Sequence, residues 1–196
     1  MADRYMYIPS VGLLIMVVWG AHEMTRGWRY QLPALSVAGA AVMILCMAMT
    51  WQQVGYWQDD ETLFRHALAV TENNYVAHNI YGNAILRKGQ NDEAIGHFQE
   101  AIRLEPNYAL AYNNLGMALG MKGRIDEAIG QVQEALRLEP DLAEAHNNLG
   151  NAFYIKGHID ESISQFQEAI RLKPDFTLAQ DNLTQALKTR NAPPPH

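Results

Sequence analysis

The sequence has a single cysteine, Cys46, so no disulfide can close within the chain, and its spacing to the histidines matches no metal-ligand pattern. Positive charge is also scarce. Lys and Arg number 15 against 21 Asp and Glu, and from Trp57 onward the balance is 12 basic to 19 acidic. A mildly acidic, well-mixed surface lacks the basic stripe that nucleic-acid binding needs, so no nucleic-acid partner is expected. No two histidines stand at i, i+4, and no metal or cofactor is expected either. Charge of either sign is nearly missing from the first 56 residues, which hold only Asp3, Arg4, Glu23, Arg26 and Arg29. No Gly/Ser/Pro-rich stretch separates this apolar part from the rest, which argues against a flexible linker.

The apolar part carries two uncharged runs, Tyr5 to Ala21 and Leu32 to Val54. A bilayer core of about 30 Å needs about 20 apolar helical residues, so the second run is long enough and the first is near the lower limit. Pro9 and Pro33 stand near the start of each run, and Trp19, Trp28, Tyr30 and Trp51 fall near the ends. The alternatives are a signal peptide, which lacks a basic leader and cleavage site here, and a buried soluble helix, which would have a polar face. The expectation is a two-helix membrane anchor over residues 1–56, with membrane lipid as partner through residues 5–54. Arg26 and Arg29 in the connecting loop put that loop on the cytoplasmic side, and the remainder of the chain outside in the periplasm or lumen.

The rest of the sequence repeats itself. GHFQEAIRLEP (96–106), GQVQEALRLEP (130–140) and SQFQEAIRLKP (164–174) recur every 34 residues, each preceded by a second matching segment. Within each unit Tyr81, Leu115 and Leu149 are expected to pack inward beside Gly82, Gly116 and Gly150, where glycine lets a neighbouring helix approach. Gly89, Gly123 and Gly157 are expected to end the first helix in the left-handed conformation. Asp92, Asp126 and Asp160 would cap the second helix. That helix buries the stripe Ala94, Phe98, Ala101 and its copies Ala128, Val132, Ala135 and Ser162, Phe166, Ala169. Pro106, Pro140 and Pro174 stop it. The pattern resembles the tetratricopeptide repeat.

The predicted fold is therefore all-α: an N-terminal transmembrane helical hairpin followed by a right-handed α-solenoid of tetratricopeptide repeats. A half-repeat helix over 57–74 joins the anchor to three repeats at 75–108, 109–142 and 143–176. A capping helix (177–190) and a disordered tail (191–196) follow.

The concave surface of such a solenoid is lined by the first helix of each unit. Asn114, Asn148 and Asn182 stand 34 apart on it, with Asn79 adjacent to that place in the first repeat and Asn83 and Asn151 one turn on. Asparagine offers an acceptor and two donors, so a ladder of them can hold the backbone of an extended peptide. The alternative is that they bond helix to helix or face water. The pattern resembles the asparagine ladder in the repeat domain of the nucleocytoplasmic O-linked N-acetylglucosamine transferase. It does not resemble the carboxylate clamp of chaperone-binding repeats, because Val76, Glu144 and asparagines stand where cations are wanted. His78 and His146 read as structural histidines between helices.

Two stretches carry a further resemblance. ADRYMYIPSVGLLIMVVWG, and WQDDETLFRHALAV leading into NYVAHNIYGNAIL, resemble the passage from membrane to repeats in the transmembrane and tetratricopeptide-repeat-containing O-mannosyltransferases and their bacterial relatives. That resemblance implies extracytoplasmic repeats that present acceptor polypeptides to a multi-spanning enzyme using a lipid-linked sugar. The family's catalytic acids belong to an early loop with no counterpart here, so no residue of this chain is expected to be catalytic. The expected function is a membrane-anchored scaffold binding a protein or peptide in its groove. The alternative is the acceptor-binding C-terminal portion of such a glycosyltransferase.

Overall fold

The computed structural model describes residues 16, 19, 20, 23, 31–55 and 60–191. The chain divides into two compact units at Gly55/Tyr56. In the first, α1 (Gln31–Gly55) is a 25-residue helix without a charged residue. Its Met43, Ile44, Leu45, Met47 and Met49 are exposed. The described side chains of α1 run unbroken only over 39–51, and among the described residues no helix is long and apolar enough to cross a membrane. The rest of the hydrophobic run expected over 5–21 lies outside the described residues apart from Met16, Trp19 and Gly20. The joint at 56–59 and the tail 192–196 lie outside them too.

The second unit is an all-α tetratricopeptide-type solenoid. Its helices are α2 (Asp60–Val70), α3 (Tyr75–Leu86), α4 (Asn91–Leu104), α5 (Ala109–Met121), α6 (Ile125–Leu138), α7 (Ala143–Ile155), α8 (Ile159–Leu172) and α9 (Thr177–Asn191). The pairs α3/α4, α5/α6 and α7/α8 pack most extensively, α9 packs on α8, and α2 packs on α3. Each pair turns through a glycine. Gly89, Gly123 and Gly157 have φ of 81°, 76° and 79°, a region in which a Cβ is strained.

The second helices bury the expected stripe. Phe98, Val132 and Phe166 are at most 1% exposed, and Ala101, Ala135 and Ala169 are fully buried. Ser162 stands where Ala94 and Ala128 stand in the other repeats, and its buried hydroxyl makes no hydrogen bond. Above the stripe lie the glycines. A Cβ on Gly82 would meet the Phe98 ring at 2.7 Å, and one on Gly150 would meet the Phe166 ring at 2.6 Å. One on Gly116 would meet Val132 Cγ2 at 2.4 Å and the Ala128 carbonyl oxygen at 3.0 Å. At Gly116 the backbone of the second helix lies within reach of the missing Cβ, whereas at Gly82 and Gly150 a phenylalanine ring does.

One expectation is corrected. Asp92, Asp126 and Asp160 do not cap the second helices. The capping positions are Gln90, Arg124 and His158, none of which bonds the helix through its side chain. The left-handed glycine leaves one residue before the helix starts, so each aspartate falls inside the first turn, where its charge suits the helix dipole. Each also reaches a cation at or near the end of the next first helix: Asp92 to Lys122, Asp126 to Lys156 at 2.5 Å, and Asp160 to Arg190 at 3.9 Å. The aspartates are 83% exposed, so these bridges between repeats add little to stability.

Candidate functional site: the face of the first helices

The first helices of successive repeats touch one another: α3 meets α5, α5 meets α7, and α7 meets α9. Asparagines make the contact. Asn114 Nδ2 donates to Asn79 Oδ1 at 2.8 Å, Asn148 Nδ2 to Asn113 Oδ1 at 2.9 Å, and Asn182 Nδ2 to Asn147 Oδ1 at 2.9 Å. Every rung spans 35 residues. It joins one place on a first helix to the next place on the following one.

The two members of a rung differ. Asn79, Asn113 and Asn147 are buried, whereas Asn114, Asn148 and Asn182 are half-buried. Asn79 also donates to the Tyr108 hydroxyl at 3.3 Å, and Asn113 donates to Asn114 Oδ1 at 3.4 Å. The ladder anticipated from the sequence is thus part of the scaffold through its amide nitrogens. Each of the three half-buried amides keeps a second N–H, and Asn148 and Asn182 keep their oxygens clear of any partner among the described residues. Asn83 and Asn151 are half-buried one turn on. Asn113 and Asn147 escape the sequence reading, although the paired asparagines at 113–114 and 147–148 are a signal for them.

Around the rungs the face carries exposed apolar side chains, together with the Glu144 carboxylate of α7 at the place of Val76, Leu110 and Leu178. Six large hydrophobics are exposed between residues 60 and 191, and five of them, Val76, Leu110, Met121, Ile155 and Leu178, lie on α3, α5, α7 and α9. Val70 is the sixth. Between α5 and α7, with α6 as floor, the face opens into a crevice of about 330 Å³. Met117, Gly120, Met121, Ile125, Val132 and Ile155 line it, and Asn148 and Asn151 stand at its polar side. Among the described residues no group of three or more His, Cys, Asp or Glu side chains could hold a metal.

Both singled-out histidines bond between helices. His146 Nδ1 meets Gln165 Oε1 at 2.8 Å, and its Nε2 meets the Pro140 carbonyl at 2.9 Å. His78 and His97 join α3 to α4 through an Nδ1–Nδ1 hydrogen bond of 2.9 Å, with Tyr81 edge-on to the His97 ring. One ring must donate and the other accept, so the bond exists only while at least one is neutral. Burial lowers the pKa of both below the usual value, and for His97 the neighbouring His78 lowers it further. Glu100 opposes the shift at both rings and Glu93 at His97, while Arg103 reinforces it at His78. The unfolded chain, with ordinary histidines, then binds more protons than the folded one. Stability is fully present above the ordinary value of about 6.5 and is lost as pH falls toward the lowered folded values. The unfolding midpoint is expected to drop from about pH 7.5 to about pH 5.5 more steeply in the parent protein than in a His78→Gln variant. Equal slopes would show that the pair does not titrate with folding.

Comparison with known proteins fits this geometry. Residues 82–123 and 121–157 match the family described as TPR repeat, and residues 143–176 match the family described as tetratricopeptide repeat. Residues 82–176 are an array of tetratricopeptide repeats. The repeat half is 29% identical over 100 residues to the protein O-mannosyl-transferase Tmtc3 of Drosophila melanogaster, and 33% identical over 101 residues to TMTC1 of Mus musculus. Half of this chain is covered in each case, but only 11% and 10% of those relatives. The chain therefore spans about a tenth of the length of the relatives it matches, in their repeats alone. Among solved structures, MamA superposes with a TM-score of 0.57 at 26% identity, over 65% of this chain and 74% of that one. The first TPR of Spaghetti (RPAP3), bound to the HSP90 peptide SRMEEVD, superposes at 0.58 with 18% identity, over 64% and 99%. The latter is a likeness of fold alone. The repeats make the chain a scaffold, and no catalytic role passes to any of its residues from these matches.

Proposed function

We propose that this chain is a membrane-held scaffold whose tetratricopeptide repeats bind an extended peptide along the face of α3, α5, α7 and α9. The concentration of exposed apolar side chains on those helices carries the reading. Exposed large apolar side chains gathered on one face mark a place that a partner covers. Between the apolar residues, the remaining N–H of Asn114, Asn148 and Asn182 and the clear oxygens of Asn148 and Asn182 match the alternating donors and acceptors of a peptide backbone. The partner differs from the acidic SRMEEVD peptide held by Spaghetti, because Val76, Glu144 and asparagines stand on this face where an acidic tail would want cations.

The test selects peptides from a random displayed library against the full chain in lipid nanodiscs, then measures their affinity by anisotropy. Leu110→Glu and Leu178→Glu are expected to weaken the selected peptides about tenfold or more, and Gln99→Glu and Gln133→Glu on the second helices to leave them unchanged. Loss through the second helices alone would sink the reading.

Membrane anchoring rests on the uncharged 25-residue α1 and on the uncharged run at 5–21. With Arg26 and Arg29 in the loop, the repeats lie outside the cytoplasm. The second reading, the acceptor-binding portion of a lipid-linked-sugar-dependent glycosyltransferase, is favoured by the identity of the repeats to O-mannosyl-transferases. Single cysteines at Arg26 and at Met121, which is exposed where Asn114 is not, would be probed in cells with an impermeant thiol reagent in a Cys46→Ala background. Labelling at 121 but not 26 supports both statements. The opposite pattern leaves a scaffold in the cytoplasm.

A further inference from the structure

The three repeats are near copies, but at one position beside the crevice between α5 and α7 they differ. Leu86, Gly120 and Tyr154 stand 34 apart near the ends of α3, α5 and α7. Leu86 is buried in the core of the first repeat, and Tyr154 packs against the core beneath α9 with its hydroxyl 2.8 Å from Thr189 Oγ1. At Gly120 that side chain is missing. A Cβ built there would meet only the Ala128 methyl, at 3.9 Å, so the space is free and is not taken by a closely packed helix. This separates Gly120 from Gly116, one turn earlier, whose missing Cβ is demanded by contact. Gly120 costs helix stability without serving the packing of helix on helix.

We infer that the crevice at Gly120 is a side-chain pocket of the groove, which takes one bulky apolar residue (Leu, Met or Phe) of a bound extended peptide. The inference rests on the groove reading above and adds to it the determinant of sequence preference. The lining carries no Asp, Glu, Lys, Arg or His, so a charged side chain would lose its water without a partner. The volume of about 330 Å³ accepts one large side chain with its flanking backbone. Asn148 and Asn151 at the edge supply the amides that hold that backbone, and this distinguishes a peptide from a free alkyl chain. Met117 and Met121 in the wall adapt to aliphatic or aromatic shapes. Met121 and Ile155, both about 60% exposed, form the rim a bound residue would cover.

The test uses the full chain in nanodiscs with 13C-labelled methionine methyls. The probes are the pentapeptides Ac-Ser-Ala-X-Ala-Ser-amide, with X as leucine, methionine, phenylalanine, alanine, lysine or aspartate, and octanoate as an alkyl control. The Leu, Met or Phe probe is expected to shift the Met117 and Met121 methyls with an affinity about tenfold or more above the Ala, Lys and Asp probes. Gly120→Leu, which refills the space, is expected to abolish that preference. Ile155→Lys, an exposed rim change that spares the core, is expected to reduce it even if Gly120→Leu folds poorly. Equal binding of all six peptides would overturn the pocket while leaving the groove. Preference surviving both variants, or octanoate matching the leucine peptide, would overturn it as well. Absence of binding by these probes and by library-selected peptides alike would remove the groove reading itself.

Discussion

Gly116→Ala is expected to destabilise the repeat array by about 3 kcal/mol, the upper end of the usual cost of overpacking. The methyl would lie 2.4 Å from Val132 Cγ2 and 3.0 Å from the Ala128 carbonyl oxygen. The valine is held at 1% exposure with no free end to turn aside, and the carbonyl belongs to α6 itself. Relief therefore requires α5 and α6 to move apart. At Gly82 and Gly150 the obstacle is the outer edge of a phenylalanine ring, which can tilt, so the same substitution there should cost less, about 1–2 kcal/mol. Gly120→Ala should have the opposite sign. It has room for the methyl, and alanine in a helix gains up to about 1 kcal/mol over glycine. Urea midpoints of the four variants give the order. Equal losses at 116 and 150 would mean that the helices yield as easily as a ring does.

These contrasts mark the limit of what the sequence makes legible. The 34-residue period is written in the sequence as plain recurrence, and the left-handed glycines and the stripes such as Ala94, Phe98, Ala101 can be read from spacing within one turn or one helix. The need for glycine at 82, 116 and 150 is legible as well. Beside an inward leucine or tyrosine, a residue without a side chain makes room for a neighbouring helix. What escapes is whatever depends on how one repeat rotates against the next. The asparagine rungs span 35 residues and the aspartate bridges 30, so neither is a neighbour relation within a helix. The aspartates read as caps from spacing alone, because the helix start shifts when the preceding glycine turns the chain. His97 carries no signal of its own until α3 and α4 are paired. Gly120 is visible as a glycine, but the space beside it exists only by comparison with Leu86 and Tyr154.

Phe166→Ala is the substitution with the largest expected effect, about 3–5 kcal/mol, as for other large aromatic truncations in a closed core. Phe166 is 1% exposed, and with Ile163 and Ala186 it joins α8 to α9. Leu183 and Leu187 of α9 pack against the same cluster, so the truncation removes the surface that holds the last helix. Gly150 faces the ring, and the cavity cannot close from that side because no side chain stands there to move in. In a solenoid each repeat is stabilised by itself and its neighbours, so the loss should stay near the C-terminal end. Amide exchange is expected to accelerate over 159–191 while α3 to α5 keep their protection. The same truncation at Phe98 would spread to both sides, since its cluster reaches from Phe64 of α2 to Leu119 of α5 and Ala128 of α6. Uniform loss of protection in the Phe166 variant would instead show that the three repeats unfold as one unit. The groove could then not open at one end to admit a peptide without melting throughout. If the loss is confined, the α7–α9 end of the face is the part free to adjust to a bound chain. The Asn147–Asn182 rung would then be the first of the three to part.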